Sequence, residues 1–474
     1  MRISFGSTMP PDLTEGDLKE IGLLKWQLEC PRMTIKSRAT KSPDTYYGAG
    51  KVFYTPEGSL EFECFSHRER NTDEWPLGQS IPSGKVIPDS YFYDLKALDV
   101  NGNEWKSSRM IPRIHRTADG RSIVRGSVDQ LTTAREMPSD IPFSGSSIRF
   151  WVFEDIEIPT NRRTQRKRSI PKTKLRSTSG SWNAWEFTVN KIRYLLINEN
   201  GERLSFLIRS RDESFPDAFE RRVVEAFQLV LGHPMNWMAM TIRQGQTTEL
   251  RIRRQSLPKG KMHPPLPPGN IRVPGTNRLS PKYHRKLFHR FMKHTLKSKE
   301  YRHQIWGHLN AIAEASGSTF IDAKALTLTV TIENLLGSEF PSLAEPDSDL
   351  KNAIIEMRHY IEAWEGDPAI RERVLGAISN FICASATDKM RSLVDKGAIT
   401  EDQYKSWKKL RHPTAHSYLS TGIGTQDMIQ LLQACEVLFY HLVFYAIDYE
   451  GPYIDYAIPG WPLKKYPGGS LWSR

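Results

Sequence analysis

Cysteine is scarce in this 474-residue sequence, which contains only four cysteines. They lie far apart, at Cys30, Cys64, Cys383 and Cys435, and no two of them form a CxxC pair. This spacing excludes a dense disulfide framework and a zinc ribbon. Because isolated thiols are typical of proteins in a reducing compartment, we expect a cytoplasmic location.

Long apolar runs are also absent. The N-terminal stretch MRISFGSTMPPDLTEGD has no apolar segment behind its positive charge, so we expect no signal peptide. The most apolar segment, VLFYHLVFYAI at 437–447, has only 11 residues and contains His441. A helix needs about 20 apolar residues to span a bilayer. We therefore predict a buried core helix here and no membrane partner.

Several motifs for cofactors and activated nucleophiles are missing as well. The sequence has no Walker loop, no G-x-G-x-x-G, no HNH-like zinc arrangement and no G-x-S-x-G elbow. Five histidines lie between His284 and His308, but their repeated spacing of five does not match helical metal ligands at i and i+4. A solvated basic helix is the favoured interpretation. We expect no cofactor and no metal, so any cleavage of nucleic acid would proceed without metal.

Positive charge, by contrast, is abundant and uneven. Residues 160–176 hold eight Lys or Arg and no acid, and residues 251–302 hold fifteen with one acid, Glu300. Because these two basic segments together exceed the formal net charge of +12, the remainder of the chain is net acidic. Such a distribution is typical of a polyanion-binding protein, although basic linkers and solvated helix faces give the same pattern.

The first half of the chain, residues 1–255, is predicted to be β-rich. Leu60, Phe62 and Cys64 alternate with glutamates at the period of a half-buried strand, and Asn-Gly turns recur along this half. One helix interrupts the strands, at DAFERRVVEAFQLVLGHP. We expect a sensor or regulatory region, with a division into two subdomains near 160–180 as an alternative to a single one.

The second half is predicted to be helical. Residues 256–280 are basic and proline-rich, which indicates a linker that acts as a spacer, and residues 281–474 carry helical periodicity. The segment 322–337 alternates like a strand, yet its helical surroundings favour a buried helix. A long helix is predicted over 368–396. The expected fold class is α+β and multidomain, with a β-rich N-terminal half followed by a helical bundle.

The stretch KKLRHPTAHSYL, at 408–419, places Arg411 and His416 on either side of Pro413. In a structural interpretation, the positive charge of Arg411 interacts favourably with the dipole at the C-terminal end of a helix over 400–411, and Pro413 ends that helix. In a catalytic interpretation, His416 accepts the proton of an RNA 2′-hydroxyl. The forked guanidinium of Arg411 then stabilises charge on the pentacovalent phosphate.

At these residues the sequence resembles the HEPN family, whose nuclease members carry an R-x4-6-H motif on a helical domain. Arg411 and His416 occupy the two defining positions, His412 is the polar residue after the arginine, and Tyr418 extends the pattern to R-x4-H-x-Y. The segment AKALTLTVTIENLLG resembles the first-helix signature of ApeA-like HEPN proteins, with Glu333 in the acidic position. The β-rich half is similar to the region that precedes HEPN in that group.

The resemblance implies a metal-independent endoribonuclease that acts in anti-phage defence or toxin-like growth arrest. It implies Arg411 and His416 as catalytic residues, and His412 and Tyr418 as RNA-binding residues. A phage-derived trigger or a trans-acting inhibitor would be a further partner. The alternative is a non-catalytic dimeric HEPN protein that binds nucleic acid or serves as a scaffold.

A homodimer is expected because one motif supplies a single imidazole, whereas phosphodiester cleavage needs a proton acceptor and a proton donor. Two motifs that face each other across a two-fold axis would supply both, as the resemblance implies. We expect the interface to include the segment 437–447 and the helix that ends at Arg411, near Trp407.

Overall fold

The structure is a computed structural model that describes residues 13–40, 43–69, 86–116, 121–136, 145–167, 178–199, 201–211, 214–255, 260, 262–267, 279–297, 304–317, 320–345, 348–379, 384–415 and 424–468. The chain divides into two compact units. The strand unit comprises Met1–Pro216 and Met235–Leu257, and the helical unit comprises Asp217–Pro234 and Pro258–Arg474. The predicted α+β class, with strands in the first half and helices in the second, is confirmed.

The strand unit contains one antiparallel sheet. Its order is β10-β11-β12-β13-β9-β14-β15-β8-β5-β4-β1-β2-β3-β7-β6, with the following bounds: β1 (Gln27–Ser37), β2 (Thr45–Tyr54), β3 (Leu60–Glu69), β4 (Tyr93–Leu98), β5 (Glu104–Met110), β6 (Arg113–Arg116), β7 (Ser122–Ser127), β8 (Gln130–Glu136), β9 (Ser146–Val152), β10 (Arg162–Lys167), β11 (Thr178–Val189), β12 (Ile192–Glu199), β13 (Arg203–Ser210), β14 (Trp237–Gln244) and β15 (Thr247–Arg253). A short helix, α1 (Glu15–Gly22), precedes it, and a 3-10 turn covers Asp89–Tyr91.

The strands follow the alternation that the sequence predicted. Leu60, Phe62 and Cys64 are buried on β3, while the side chains between them are partly exposed. The Asn-Gly segment after β4 forms a hairpin around Asp99, whose carboxylate accepts the indole N–H of Trp105 at 3.0 Å. A turn residue that hydrogen-bonds nearby groups fixes the register of the two strands, and this hairpin therefore sets the pairing of β4 with β5.

The basic segment at 160–180 is not a boundary between subdomains. β10 and β11 flank residues 168–177 and pair with each other in antiparallel register, so the segment connects two neighbouring strands of one sheet. β10 is an edge strand, and Arg163 lies over the Trp182 ring at 4.8 Å. Charged residues on an edge strand oppose its pairing with a strand of another chain. The arginines of β10 therefore have a structural role at this edge of the sheet.

The helical unit is built from nine helices within the described residues: α2 (Phe219–Leu231), α3 (Pro281–Thr295), α4 (Gln304–Ser316), α5 (Ile321–Glu339), α6 (Ser348–Glu362), α7 (Pro368–Ser379), α8 (Ala386–Asp395), α9 (Glu401–Ala415) and α10 (Thr425–Ala446). A hairpin of β16 (Gly451–Ile454) and β17 (Leu463–Tyr466) follows. The predicted buried helix at 322–337 is confirmed as α5, which contacts α4, α8, α9 and α10.

One helix in the described part of the chain, α10, is long and apolar enough to cross a membrane by length and composition alone. However, 72% of its most apolar window is buried inside the structure. Burial of this extent identifies α10 as the core helix that the sequence predicted for 437–447.

The domain boundaries differ from the predicted ones in two respects. α2 belongs to the helical unit, where it contacts α3 and α4, although its sequence interrupts the strand-forming half. In addition, the described residues 262–267 of the proposed linker are not a spacer. Leu266 is buried, and the hydroxyls of Tyr440 and Tyr456 donate to the carbonyls of His263 and Pro264 at 2.5 and 2.6 Å. This proline-rich stretch is thus held in the helical unit by side-chain donors.

The predicted helix at 368–396 is also corrected, because two helices occupy this range. α8 begins at a capping box in which the Ser385 hydroxyl accepts the backbone N–H of Asp388 at 3.2 Å. The Asp388 carboxylate in turn accepts the backbone N–H of Ser385 at 3.0 Å. Such reciprocal bonds are a start signal, so a new helix begins here.

Candidate active site

Helix α9 carries the first half of the R-x4-H motif, and its start is well defined. Gln403 and Thr400 exchange backbone and side-chain hydrogen bonds in a capping box, at 2.9 and 3.2 Å. The Gln403 amide nitrogen also lies 3.0 Å from Nδ1 of His441 on α10. Burial lowers the pKa of His441 to about 3, so its ring is neutral and Nδ1 can accept this bond. Tyr404, Trp407 and Leu410 form the buried face of α9.

The end of α9 differs from the structural interpretation of the motif. The helix extends to Ala415, so Pro413 lies within its last turns and does not end it. Proline removes one N–H donor, but its fixed φ is compatible with helical geometry, and a helix can continue for a short distance past it. Arg411 consequently sits on a regular helix and not at a helix terminus.

Arg411 is exposed and held by two neighbours. Its Nε donates to Oε1 of Glu333 on α5 at 2.5 Å. The guanidinium carbon lies 5.5 Å from the ring centroid of Trp407, which is fully buried one turn earlier. The Arg411 and Glu333 side chains are 45% and 34% exposed, so the guanidinium is oriented but still open to solvent. This is the geometry needed to present a cation to a phosphate.

The remaining members of the predicted site are less fully described. His412 lies in α9, but its side chain is not among those that the structure describes. His416 and Tyr418 lie outside the described residues. The distance between Arg411 and His416 therefore stays a prediction, whereas the contact of Arg411 with Glu333 is a feature of the structure.

The surface of α9 around Arg411 is cationic. Lys405, Lys408 and Lys409 are exposed on the same helix. The Nζ of Lys405 lies 3.8 Å from Oε1 of Glu401. These exposed lysines lie within two turns of Arg411 and add to the positive field around it. Such a field attracts a polyanion over a distance of about 8–10 Å at physiological ionic strength.

The apolar residues of the dimer surface predicted from the sequence are buried within one chain, and the homodimer itself stays a prediction. Trp407 has no exposed surface within one chain, and residues 437–444 of α10 are buried in the same core. These apolar side chains are already covered by α5 and α9, which contact α10. Sequence periodicity identified them as apolar, but it could not tell a core contact within the chain from a contact between chains.

The histidine-rich helix α3 is not a solvated basic helix throughout. His284 is buried, and its Nε2 lies 3.1 Å from the carbonyl oxygen of Pro267. The Nε2 of His294 lies 3.0 Å from Oε2 of Glu339. Among the described residues, no group of three or more His, Cys, Asp or Glu side chains could hold a metal ion.

A buried polar cluster escaped the sequence-based prediction. Glu436 on α10 places one carboxylate oxygen 2.7 Å from Nδ1 of His263 and the other 2.7 Å from Nζ of Lys324 on α5. Burial alone would raise the pKa of Glu436, but His263 and Lys324 outweigh it and lower the pKa below its ordinary value. This cluster fastens residues 262–267 to α10. The signal available in the sequence for this cluster was a single glutamate, Glu436, directly before the apolar segment 437–447.

Comparison of the chain with protein-family models, with curated proteins and with solved structures gave no match.

Proposed function

We propose that this protein is a metal-independent endoribonuclease whose catalytic residues are Arg411 and His416. The observation that carries the proposal is the exposed Arg411 guanidinium, oriented by Glu333 and surrounded by cationic residues of α9. An oriented, permanently charged fork suits the equatorial oxygens of a phosphate that passes through a pentacovalent transition state.

In the proposed reaction, His416 accepts the proton of the 2′-hydroxyl, which then attacks the adjacent phosphorus. The bond to the 5′-oxygen breaks, and a second imidazole protonates this leaving oxygen. The products are a 2′,3′-cyclic phosphate and a 5′-hydroxyl. In a homodimer the partner's motif supplies the second imidazole, while His412 and Tyr418 bind the RNA. No cofactor takes part in these steps.

The biological role that fits this chemistry is growth arrest or anti-phage defence in the cytoplasm. Under this proposal the helical unit is a HEPN domain of the ApeA-like type, and the strand unit senses a phage-derived trigger or receives a trans-acting inhibitor. A large antiparallel sheet with basic edge strands supports such a receptor role, since it offers an extended surface within the strand unit.

A second function is a non-catalytic, dimeric nucleic-acid-binding or scaffold protein. The observation that favours it is the same Arg411–Glu333 ion pair, because a pair of this kind also links α5 to α9 without any chemistry. In that case the cationic surface of α9 would bind RNA, and the motif would contribute to affinity alone.

The test is to incubate the purified full-length protein with total RNA in EDTA and to sequence both ends of every fragment. His416→Ala and Arg411→Ala are the informative variants. His359→Ala and Arg358→Ala are matched controls, because His359 is an exposed histidine on α6 and Arg358 is an exposed arginine on the same helix that pairs with Glu362 at 3.0 Å, as Arg411 pairs with Glu333. RNA binding is measured in parallel by filter retention.

The ribonuclease proposal predicts cleavage by the wild type and both controls, and loss of cleavage in the two motif variants with RNA binding retained. The scaffold function predicts that the wild type binds RNA and leaves it intact. Equal cleavage by wild type and His416→Ala would contradict the assigned role of this residue.

A further inference from the structure

A partly exposed imidazole in the helical unit is held in one orientation by a buried carboxylate. Nδ1 of His263 lies 2.7 Å from Oε2 of Glu436, and the two side chains are 38% and 4% exposed. The other oxygen of Glu436 lies 2.7 Å from Nζ of Lys324. Because an ionised carboxylate only accepts hydrogen bonds, Nδ1 of His263 carries a proton. In the neutral imidazole, Nε2 then holds the lone pair and can accept a hydrogen bond.

The backbone around this imidazole is fixed as well. The Tyr440 hydroxyl donates to the His263 carbonyl at 2.5 Å, and the Ile454 N–H of β16 donates to the Pro265 carbonyl at 3.0 Å. Since Nδ1 faces the buried Glu436, the exposed side of the ring is the one that carries Nε2. A small number of oriented polar groups of this kind is what fixes a ligand in a binding site.

An exposed indole lies beside the imidazole. Trp461 is 47% exposed, and its ring centroid is 5.7 Å from that of His263, with 53° between the two planes. Tyr456 is buried, stacks on His263 at 4.7 Å and meets Trp461 edge-on at 5.3 Å. Tyr456 thus forms the covered base of the cluster, while the other two rings stay partly open. A planar ring stacked on Trp461 can therefore meet the imidazole with its edge.

The backbone at Trp461 adopts a conformation that bulky residues rarely take. Its φ is +50°, in the left-handed region. The loop between β16 and β17 holds it there, because the Trp461 N–H donates to the Ile458 carbonyl and the Asp455 N–H to the Pro462 carbonyl, both at 3.0 Å. The loop thus presents an indole at the surface at a conformational cost, as is common at ligand-binding positions.

The charges next to these rings are already balanced. Lys324 pairs with Glu436, and Nζ of Lys464 lies 3.0 Å from Oδ2 of Asp455. Because each of these lysines has an acidic partner, neither attracts a phosphate by charge alone. A neutral planar heterocycle fits this surroundings better, since its face stacks on an indole and an amino group on its edge donates to an imidazole nitrogen. Nucleobases combine both features.

We propose that His263 and Trp461 form a nucleobase-binding site for an amino-bearing base such as adenine, either in a free nucleotide or unpaired in an RNA strand. Trp461 supplies the stacking surface, and Nε2 of His263 accepts a hydrogen bond from the exocyclic amino group. Lys324 and Glu333 are nine residues apart on α5, about 14 Å along its axis and on opposite sides of it, so this site is separate from Arg411. The proposal concerns binding and does not rest on ribonuclease activity.

The experiment titrates the full-length protein into 2-aminopurine probes, whose fluorescence decreases when the base stacks on an aromatic ring. One probe is free 2-aminopurine riboside. The other is a single-stranded 2′-O-methyl RNA pentamer with one central 2-aminopurine, which has no 2′-hydroxyl for cleavage. The two probes distinguish a site for free nucleotides from a site for a base within a strand.

The test variants are Trp461→Ala and His263→Asn, and the second keeps a side-chain N–H for the buried carboxylate. The matched controls are Trp364→Ala and His359→Asn. Trp364 is 42% exposed in the same unit, and His359 is an exposed histidine beside a glutamate. Trp461→Phe keeps an aromatic ring and should retain most of the quenching. Circular dichroism should report the same fold in all variants.

We expect the wild type and both controls to quench the riboside saturably, with a Kd of about 0.1–1 mM. Trp461→Ala should raise this Kd about 5- to 150-fold through loss of stacking. His263→Asn should raise it about 2- to 10-fold. In competition, the wild type should prefer adenosine to N6,N6-dimethyladenosine, which lacks an amino hydrogen, and His263→Asn should lose this preference.

Equal affinity for the two probes would assign the site to free nucleotides. Tighter binding of the pentamer that Trp461→Ala removes would assign it to an RNA strand. The absence of saturable quenching with either probe, an unchanged Kd in Trp461→Ala, or an equal loss in Trp364→Ala would each overturn the proposal.

Discussion

Replacement of Arg411 by alanine should separate catalysis from stability. The side chain makes one ion pair with Glu333, in which both partners are substantially exposed, and one contact with the Trp407 ring. An exposed pair contributes about 0.2–1 kcal/mol, and an exposed cation–π contact about 0.5–1 kcal/mol. The expected loss of folding free energy is therefore about 1–2 kcal/mol, or a decrease in Tm of about 2–8 °C for a unit of this size.

Cleavage should decrease far more than stability does. Loss of one preorganised group that stabilises transition-state charge typically lowers kcat by about 10²–10³. At 25 °C a unit destabilised by about 1–2 kcal/mol is still almost entirely folded, so unfolding cannot account for such a loss. Arg411→Lys retains the charge but not the planar fork, and we expect an intermediate rate with a Tm close to that of Arg411→Ala.

The assay is the initial rate of cleavage of a fluorescent RNA at 25 °C, measured beside thermal melts of the same preparations. Glu333→Gln serves as a control for orientation, because it keeps an acceptor near Nε of Arg411 and removes the charge. Cleavage by Arg411→Ala within about threefold of wild type would refute the catalytic role. A Tm decrease above about 10 °C, with activity that follows the folded fraction, would show instead that Arg411 is a structural link.

Three further predictions concern the reaction products, a buried histidine and a glycine at the end of a helix. EDTA should leave the cleavage rate unchanged and the products should carry 2′,3′-cyclic phosphate ends, whereas strict Mg²⁺ dependence or 5′-phosphate ends would contradict this. Burial lowers the pKa of His284 from 6.5 to about 4, so the unfolded chain binds a proton in this window that the folded chain excludes. Stability should therefore be fully present above pH 6.5 and fall as the pH decreases toward 4, and melts of His284→Gln should show a weaker dependence. Gly232→Ala should destabilise the protein by about 1–3 kcal/mol in urea unfolding, because Gly232 has φ +63° and an added Cβ would lie 2.5 Å from Cα of Pro264. The matched control Gly376→Ala, in an open position on α7, should not destabilise.

Local patterns in the sequence predicted most of the secondary structure. The burial of Leu60, Phe62 and Cys64 follows from a period of two, and the start of α9 follows from its capping residues. α5 is instructive because its residues alternate like a strand. In the structure Leu328 and Ile332 are buried while Val330 is exposed, which is a helical pattern that the surrounding helices favour.

Contacts between distant residues could not be read from the sequence. The proline-rich stretch indicates a spacer because prolines lack N–H donors, yet the backbone carbonyls of His263 and Pro264 accept bonds from Tyr440 and Tyr456, more than 170 residues away. The same limit applies to Trp407, whose apolar character fits either a core or an interface. Likewise, the motif predicted Arg411, whereas its orientation by Glu333 depends on the packing of α5 against α9.

The central claim is that Arg411 and His416 promote attack by the 2′-hydroxyl of RNA. The most direct measurement compares single-turnover cleavage, in EDTA, of one RNA that contains a mapped cleavage site with the same RNA carrying a single 2′-deoxy nucleotide there. We predict that the wild type cleaves the first RNA and leaves the second intact at that position, with equal binding of both. Cleavage of the 2′-deoxy site at a comparable rate would contradict the account.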